Sequence, residues 1–306
     1  MSRYAAIDIG TNSVLLLVAE READGRWRAL EERAEITRLG KGVDQTKLLS
    51  ADSVEATLEV VERFAAEART LGAKGIAVSA TSAARDATNG RQFLDAVNAR
   101  AQVKVEVLAG DEEARLSFAS AHADFGGKAP LVVIDIGGGS TEFIFGEPSG
   151  AISFRRSFDV GAVRMTERFI RSDPPAPDEL ASMEAALRDT FAALPRPPVG
   201  FQLVGVAGTV TTVCAVAKKI EPYDAALVHG ATLSRADVEA TVQRLAHLPL
   251  PLRRTIPGLQ PKRADVIVAG GLILRTAIDC LDAAGVTVSD RGLRWGLLTD
   301  RFGNAP

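Results

Sequence analysis

The sequence is poor in the residues that most often carry redox or metal chemistry. Its 306 residues include only two cysteines, Cys214 and Cys280, and three histidines, His122, His229 and His247. Cys214 lies in an apolar helix-like run, and both cysteines read as buried thiols rather than as a disulfide or a metal site. The histidines are scattered, with no metal-ligand spacing between them. The N-terminus has no basic segment followed by an apolar core, so no secretory signal is read there, and no apolar run is long enough to span a bilayer. Strong charge is lacking too. The formal net charge is −3, which argues against a broad nucleic-acid-binding face and leaves room only for a local basic cleft. These absences lead to the expectation of a cytoplasmic chain that binds neither membrane nor nucleic acid. What remains is an ordinary globular composition, 46% hydrophobic and 25% charged. It supplies enough apolar residues for real cores, at a length for which two domains are the natural prior.

What is present is a repeated pattern around glycine. "VVIDIGGGSTEFIFG", Val132 to Gly146, is an apolar run with an aspartate near its end, then three glycines, Ser140, Thr141, Glu142 and more apolar residues. Gly137, Gly138 and Gly139 let the backbone approach a ligand closely, and successive N–H groups in such a turn form an anion-binding concavity. Ser140 and Thr141 add hydroxyl donors. Asp135 is placed to hold a hydrated magnesium, a hard cation that takes oxygen ligands and accompanies phosphate. The segment lacks the lysine of a Walker A loop and the Gly-x-Gly-x-x-Gly spacing of a dinucleotide site. A glycine-rich hairpin with a satisfied aspartate is the alternative. The start of the chain repeats the plan. "AAIDIGTNSVLLLVAE" carries Asp8, then Gly10, Thr11, Asn12 and Ser13, and Ile7-Asp8-Ile9-Gly10 returns as Ile134-Asp135-Ile136-Gly137. Each copy reads as a strand, a tight polar turn and a second strand. Two such hairpins one domain apart predict a duplicated fold with two phosphate loops facing across a cleft; a chance pair of tripeptides is the competing explanation.

The rest of the chain alternates strands and helices, an α/β architecture. A third strand is expected over 27–39. "ADSVEATLEVVERFAAEARTLG" predicts an amphipathic helix with Val54, Leu58, Val61, Ala65, Ala68 and Leu71 on one stripe, Ser50 as its cap and Gly72 as its stop. A short strand at Ile76–Ser79 leads into a polar turn with Arg85; "RQFLDAVNAR" reads as a helix and "VKVEVL" as a strand. A helix with acids in its first turn begins at Gly110. Later, a proline-bounded helix carries Leu180, Met183, Leu187, Phe191 and Leu194 on its apolar face. "FQLVGVAGTVTTVCAVA" reads as strand, glycine turn and helix, where Gly208 and Thr209 offer a third anion site at a helix N-terminus. "ADVIVAGGLILRTAID" repeats that plan at Gly270-Gly271, for tight strand–helix packing or for a pocket holding a flat ligand.

Taken together, these motifs resemble the actin-like ATPase (ribonuclease H-like) fold. More narrowly, the chain resembles the exopolyphosphatase/guanosine pentaphosphate phosphatase family. The likeness runs nearly full length, through "AAIDIGTNS", "RLGKGVD", "ATSAARDATNG", "AGDEEARLSF", "VVIDIGGGSTEF", "DVGAVRMTERFIRSDPP", "GVAGTVTT", "VAGGLIL" and "SDRGLRWGLL". It implies a duplicated α/β fold with one actin-like domain over 1–125 and another over 126–306, the last helix able to pack back on the first. It implies a magnesium-dependent hydrolase of phosphoanhydride bonds, acting on inorganic polyphosphate or guanosine pentaphosphate, and a homodimer. By position, Glu113 in "DEEAR" corresponds to the family's general base and Arg85 in "SAARDA" to its phosphate-binding arginine. Gly10, Thr11, Asn12 and Ser13, and Gly137 to Thr141, correspond to its two phosphate loops. Gly208 and Thr209 correspond to the turn closing the phosphate channel, and Asp135 and Glu142 to acidic positions associated with magnesium.

The implied chemistry is coherent, because phosphoryl transfer to water needs an oriented nucleophile and neutralised oxygens rather than covalent help. From the residues alone, Glu112 and Glu113 also fit two solvated acids complementing a helix N-terminus, and Arg85 a surface arginine. The sequence departs from the family at Trp295, after Arg294, where many relatives carry glutamate. It also lacks the C-terminal HD-type helical region of some relatives, which leads to the expectation of a short polyphosphate channel. The competing functions are a nucleotide-dependent kinase of the same fold, an exopolyphosphatase that passes phosphate to ADP, and a nucleotide-sensing module without turnover. No convincing sugar motif supports a sugar kinase, and Glu113 and Arg85 argue against a module that only binds.

Overall fold

The apolar run that ends at the first glycine turn becomes strand β1 (Arg3–Ile9), and the run beyond the turn becomes β2 (Ser13–Arg21). In the computed structural model, which describes residues 2–304, every residue of β1 after Arg3 is buried, because both faces of its sheet are covered. The two faces divide by the strand period of two. Ala5, Ile7 and Ile9 enter one apolar cluster, and Tyr4 and Ala6 enter another. Strand β3 (Trp27–Ile36), the short helix α1 (Val43–Thr46) and helix α2 (Ala51–Thr70) follow. Ser50 caps α2 by accepting from Ser53 N at 3.3 Å, and Gly72 ends it with a left-handed φ of 80°. Next come β4 (Ile76–Ala80), the short helix α3 (Ser82–Asp86), α4 (Gly90–Ala101), β5 (Val105–Val107) and α5 (Gly110–Phe125). The polar turn expected around Arg85 is thus helical.

The second sheet repeats the sequence of events. Its elements are β6 (Leu131–Ile136), β7 (Thr141–Gly146), β8 (Ile152–Phe158), α6 (Ala162–Phe169), α7 (Pro177–Phe191), β9 (Gln202–Val206), α8 (Ala207–Lys218), α9 (Ala225–Val228) and β10 (Thr232–Ser234). Then follow α10 (Arg235–His247), α11 (Leu250–Arg253), α12 (Ile267–Cys280), β11 (Gly285–Val288) and α13 (Leu293–Phe302). The strand orders are β3-β2-β1-β4-β5 and β10-β11-β9-β6-β7-β8. In the first sheet β1, β2 and β3 form an antiparallel meander, and β4 and β5 add in parallel on the free side of β1. In the second, β6, β7 and β8 form the meander, and β9 and β11 add in parallel beside β6. This shared order is the duplicated actin-like, ribonuclease H-like α/β fold.

By contact the chain forms two units, one running to Ser117 and resuming at Leu293, the other Phe118–Gly292. In the second unit Met183, Leu187 and Phe191 of α7 are buried, with Leu180 and Leu194 partly covered. Two readings from the sequence are corrected here. Gly270 and Gly271 lie inside α12, not in a turn after a strand. A Cβ on Gly270 would stand 2.7 Å from Thr209 Cγ2, and one on Gly271 2.8 Å from Val242 Cγ2, so both glycines serve close helix packing. Of the two thiols, Cys214 is buried but Cys280 is exposed, and both are free.

Trp295 belongs to the apolar cluster of Tyr4, Leu17, Leu108, Leu116 and Leu297 in the first unit. A glutamate there would remove a large aromatic and bury a carboxylate among hydrocarbon. Trp295→Glu is therefore expected to destabilise the protein by roughly 3–5 kcal/mol, read from urea denaturation; an unchanged midpoint would show that the carboxylate finds a partner in this cluster.

Candidate active site

In the first unit the chain turns back after β1 through Gly10, Thr11 and Asn12. Gly10 N donates to Ser13 O at 2.9 Å and closes the turn. The turn's carbonyls are taken by the segment after β3. Gly40 N donates to Thr11 O at 2.8 Å, and Thr37 N and Arg38 N donate to Asn12 O at 3.1 and 3.0 Å. A Cβ on Gly40 would lie 2.2 Å from Thr11 Cγ2, so this approach requires glycine. Thr11 and Asn12 are buried, yet their backbone N–H groups have no partner among the described residues. Such groups are a ready anion site. Because Ile9 lies beside Ala80 in the parallel β1–β4 pair, the turn also meets the start of α3, where Thr11 Oγ1 and Ser82 Oγ are 2.7 Å apart. Asp8, just before the turn, accepts from Ser79 Oγ at 3.1 Å.

Arg85 stands one turn beyond Ser82 on α3. Its Nη1 donates to Glu113 Oε1 at 2.8 Å and to Leu108 O at 2.9 Å. Glu113 is 6% exposed, in the first turn of α5. Its neighbour Glu112 has a different environment. Arg115 grips it with two hydrogen bonds of 2.9 and 2.7 Å and also reaches Asp300 at 2.6 Å. The Arg115 hydrogen bonds hold the Glu112 carboxyl below the usual carboxylate range. The two acids therefore part company: Glu112 enters a surface ion-pair network, and Glu113 is buried against Arg85. Neither a pair of solvated acids nor a surface arginine describes this arrangement.

The second unit contains the same turn. Gly137 N donates to Ser140 O at 3.0 Å. Here the carbonyls are tied from α6: Ala162 N donates to Gly137 O and Val163 N to Gly138 O, each at 2.9 Å, and Arg164 Nε donates to Gly139 O at 2.7 Å. The N–H groups of Gly138, Gly139 and Ser140 have no partner among the described residues. Thr141 Oγ1 donates to Val160 O at 2.6 Å. Asp135 and Glu142 lie directly opposite each other in the β6–β7 ladder, so their side chains share a face. Both are buried, and Glu142 Oε1 accepts from Ser157 Oγ at 2.7 Å. Among the described residues no group of three or more His, Cys, Asp or Glu could hold a metal ion. Two hard carboxylates beside a phosphate-type loop nonetheless fit magnesium, which keeps several waters and shares its sphere with phosphate.

Asp135 also lies beside Val206 in the β6–β9 pair, which brings the second loop next to the start of α8. Ala207 there has a left-handed φ of 69°, and the N–H groups of the first turn of α8, including those of Gly208 and Thr209, have no intrahelical partner. A Cβ on Gly208 would be 2.3 Å from Arg263 Nη1, so the guanidinium lies directly over this glycine. Burial pushes the Arg263 pKa down. Sequence reasoning passed over Ser82, Gly40, Gly161, Arg164 and Arg263. Four of these lie within or beside stretches recognised for the family likeness, but nothing local tells which carbonyl or hydroxyl each one meets.

Each unit of this actin-like fold carries a tight glycine turn with unpaired N–H groups; the first unit adds a buried glutamate bound to an arginine and the second a pair of facing carboxylates. The model of the Ppx/GppA phosphatase family matches residues 17–305. The chain is 36% identical over 313 residues to exopolyphosphatase 2 of Mycobacterium tuberculosis, covering 97% of this chain and 98% of that protein. The crystal structure of the Aquifex aeolicus Ppx/GppA family member superposes with a TM-score of 0.83 at 31% identity, covering 98% of this chain and 97% of that one. An exopolyphosphatase structure from Cytophaga hutchinsonii reaches a TM-score of 0.90 at 26% identity, over 98% of this chain and 97% of that one. The chain belongs to the Ppx/GppA phosphatase family, whose enzymes hydrolyse phosphoanhydride bonds. Among the described residues no helix is long and apolar enough to cross a membrane.

Proposed function

We propose that the chain is a magnesium-dependent exopolyphosphatase that releases terminal orthophosphate from inorganic polyphosphate. The observation that carries this reading is the likeness, over nearly the whole of both chains, to a protein named exopolyphosphatase 2. The buried Glu113, held by Arg85 at 2.8 Å, supports it chemically. In the proposed reaction Glu113 orients the attacking water and takes its proton. Arg85 directs its planar fork at the terminal phosphate. The unpaired N–H groups of Thr11, Asn12, Gly138, Gly139 and Ser140 receive phosphate oxygens, and Gly208 and Thr209 offer a further anion turn. Asp135 and Glu142 would hold magnesium, which neutralises phosphate oxygens when bound. Guanosine pentaphosphate is the second proposed substrate, because the family name joins the two activities. A cytoplasmic location and a homodimer complete the reading, and light scattering of the purified protein tests the assembly.

The deciding experiment measures phosphate release from polyphosphate, guanosine pentaphosphate and ATP, with magnesium and with a chelator. Rapid release from polyphosphate that the chelator abolishes is the expected result. Release from guanosine pentaphosphate alone would move the assignment to the second substrate. Full activity in the chelator would remove magnesium from the proposal.

A further inference from the structure

We infer that Arg164 is a positioning residue for the second phosphate loop, holding the Gly139 peptide so that the loop presents N–H groups, and not carbonyls, to phosphate. The inference rests on the proposed role of that loop. A peptide has two polar ends, and a loop binds an anion only if its carbonyls are engaged elsewhere. In the first loop backbone groups do this work: Gly40 N takes Thr11 O, and Thr37 N and Arg38 N take Asn12 O. In the second loop Ala162 N takes Gly137 O, and Val163 N and Arg164 N take Gly138 O. The third carbonyl, that of Gly139, receives a side chain, Arg164 Nε at 2.7 Å.

Arg164 suits the task. It is 8% exposed and lies in the first turn of α6, behind the loop. Its Nη2 also lies 4.0 Å from Asp159 Oδ1, on a side chain that is itself mostly exposed. The charge strengthens the hydrogen bond to Gly139 O and adds positive potential behind the loop. The adjacent Gly161 lets α6 come this close, since a Cβ there would stand 2.4 Å from Gly138 O.

The test compares Arg164→Ala, Arg164→Met and Arg164→Lys by two readouts. The first is amide hydrogen exchange, without substrate, at Ala162 and Val163, whose N–H groups donate to the loop carbonyls of Gly137 and Gly138. The second is tripolyphosphate affinity by calorimetry in the Glu113→Gln background, where turnover does not interfere. Faster exchange is expected in Ala and Met, neither of which can donate to Gly139 O, with tripolyphosphate bound roughly tenfold to a hundredfold more weakly, the scale of one charge-assisted hydrogen bond. Lys, which can still donate to Gly139 O, should fall between these and the parent in both readouts. If Arg164→Ala does not fold, Met and Lys decide alone. Unchanged exchange in a folded Met variant overturns the inference, and unchanged exchange with weaker binding assigns Arg164 to direct phosphate contact instead. If tripolyphosphate fails to protect residues 138–140 in the parent, the phosphate-loop reading falls, while the exchange comparison still decides what Arg164 holds.

Discussion

Glu113→Gln is expected to lower phosphate release by ~10²–10⁴-fold, the range for losing a general base, while tripolyphosphate binding stays close to the parent value. The geometry makes this substitution a clean probe. Arg85 Nη1 donates to Glu113 Oε1 at 2.8 Å, and the glutamine amide keeps an oxygen to accept that bond. Its other end cannot take a proton from water. Glu112 cannot substitute, because Arg115 binds it through two hydrogen bonds of its own. Single-turnover release from polyphosphate, paired with calorimetric binding, separates the chemical step from recognition. A variant that hydrolyses at near the parental rate would sink the assignment and leave Glu113 as the structural partner of Arg85.

Gly161→Ala is expected to lower kcat/KM by about 10²-fold, the scale of a misplacement near 1 Å in a reacting geometry. The backbone at Gly161 is extended, with φ −149°, so alanine meets no conformational penalty there. The effect is steric alone. The new Cβ would stand 2.4 Å from both Gly138 C and Gly138 O and 2.5 Å from Gly139 N, and all three are backbone atoms of the phosphate loop. Either α6 retreats, and its hydrogen bonds to the loop carbonyls lengthen, or the loop moves. The same crowding should cost about 1–3 kcal/mol of stability. Steady-state kinetics with a thermal melt distinguishes a displaced loop from an unfolded protein. Parental kinetics in a folded variant would show that α6 yields without disturbing residues 137–141.

The local elements were legible in the sequence because local patterns encode them. The Asp-Ile-Gly hairpins, the α2 stripe between Ser50 and Gly72 and the apolar face of α7 depend on periods of two and 3.6 and on turn chemistry. The duplicated hairpin also pointed to the duplicated sheet, since each meander starts from one copy. Periodicity failed at "ADVIVAGGLIL". A short apolar run looks the same as a buried strand or as a helix buried all round, and the neighbours Thr209 and Val242, distant in sequence, decided for helix. It failed at Cys280 as well, because exposure depends on what packs against the last turn of α12.

The sequence by itself determined which residue types the candidate site contains: an acid in a first helical turn, an arginine, glycine turns and an acid on either side of the second turn. Only the tertiary structure decided which glutamate is buried against Arg85 and which is given to Arg115. It also decided that segments well beyond each turn, at Thr37 to Gly40 and at Ala162 to Arg164, consume the loop carbonyls. The reason is physical. Hairpins and helices are specified by neighbours in the chain, but the direction of a loop's N–H groups is set by the partners its carbonyls find, and those arrive only when the sheets and helices pack.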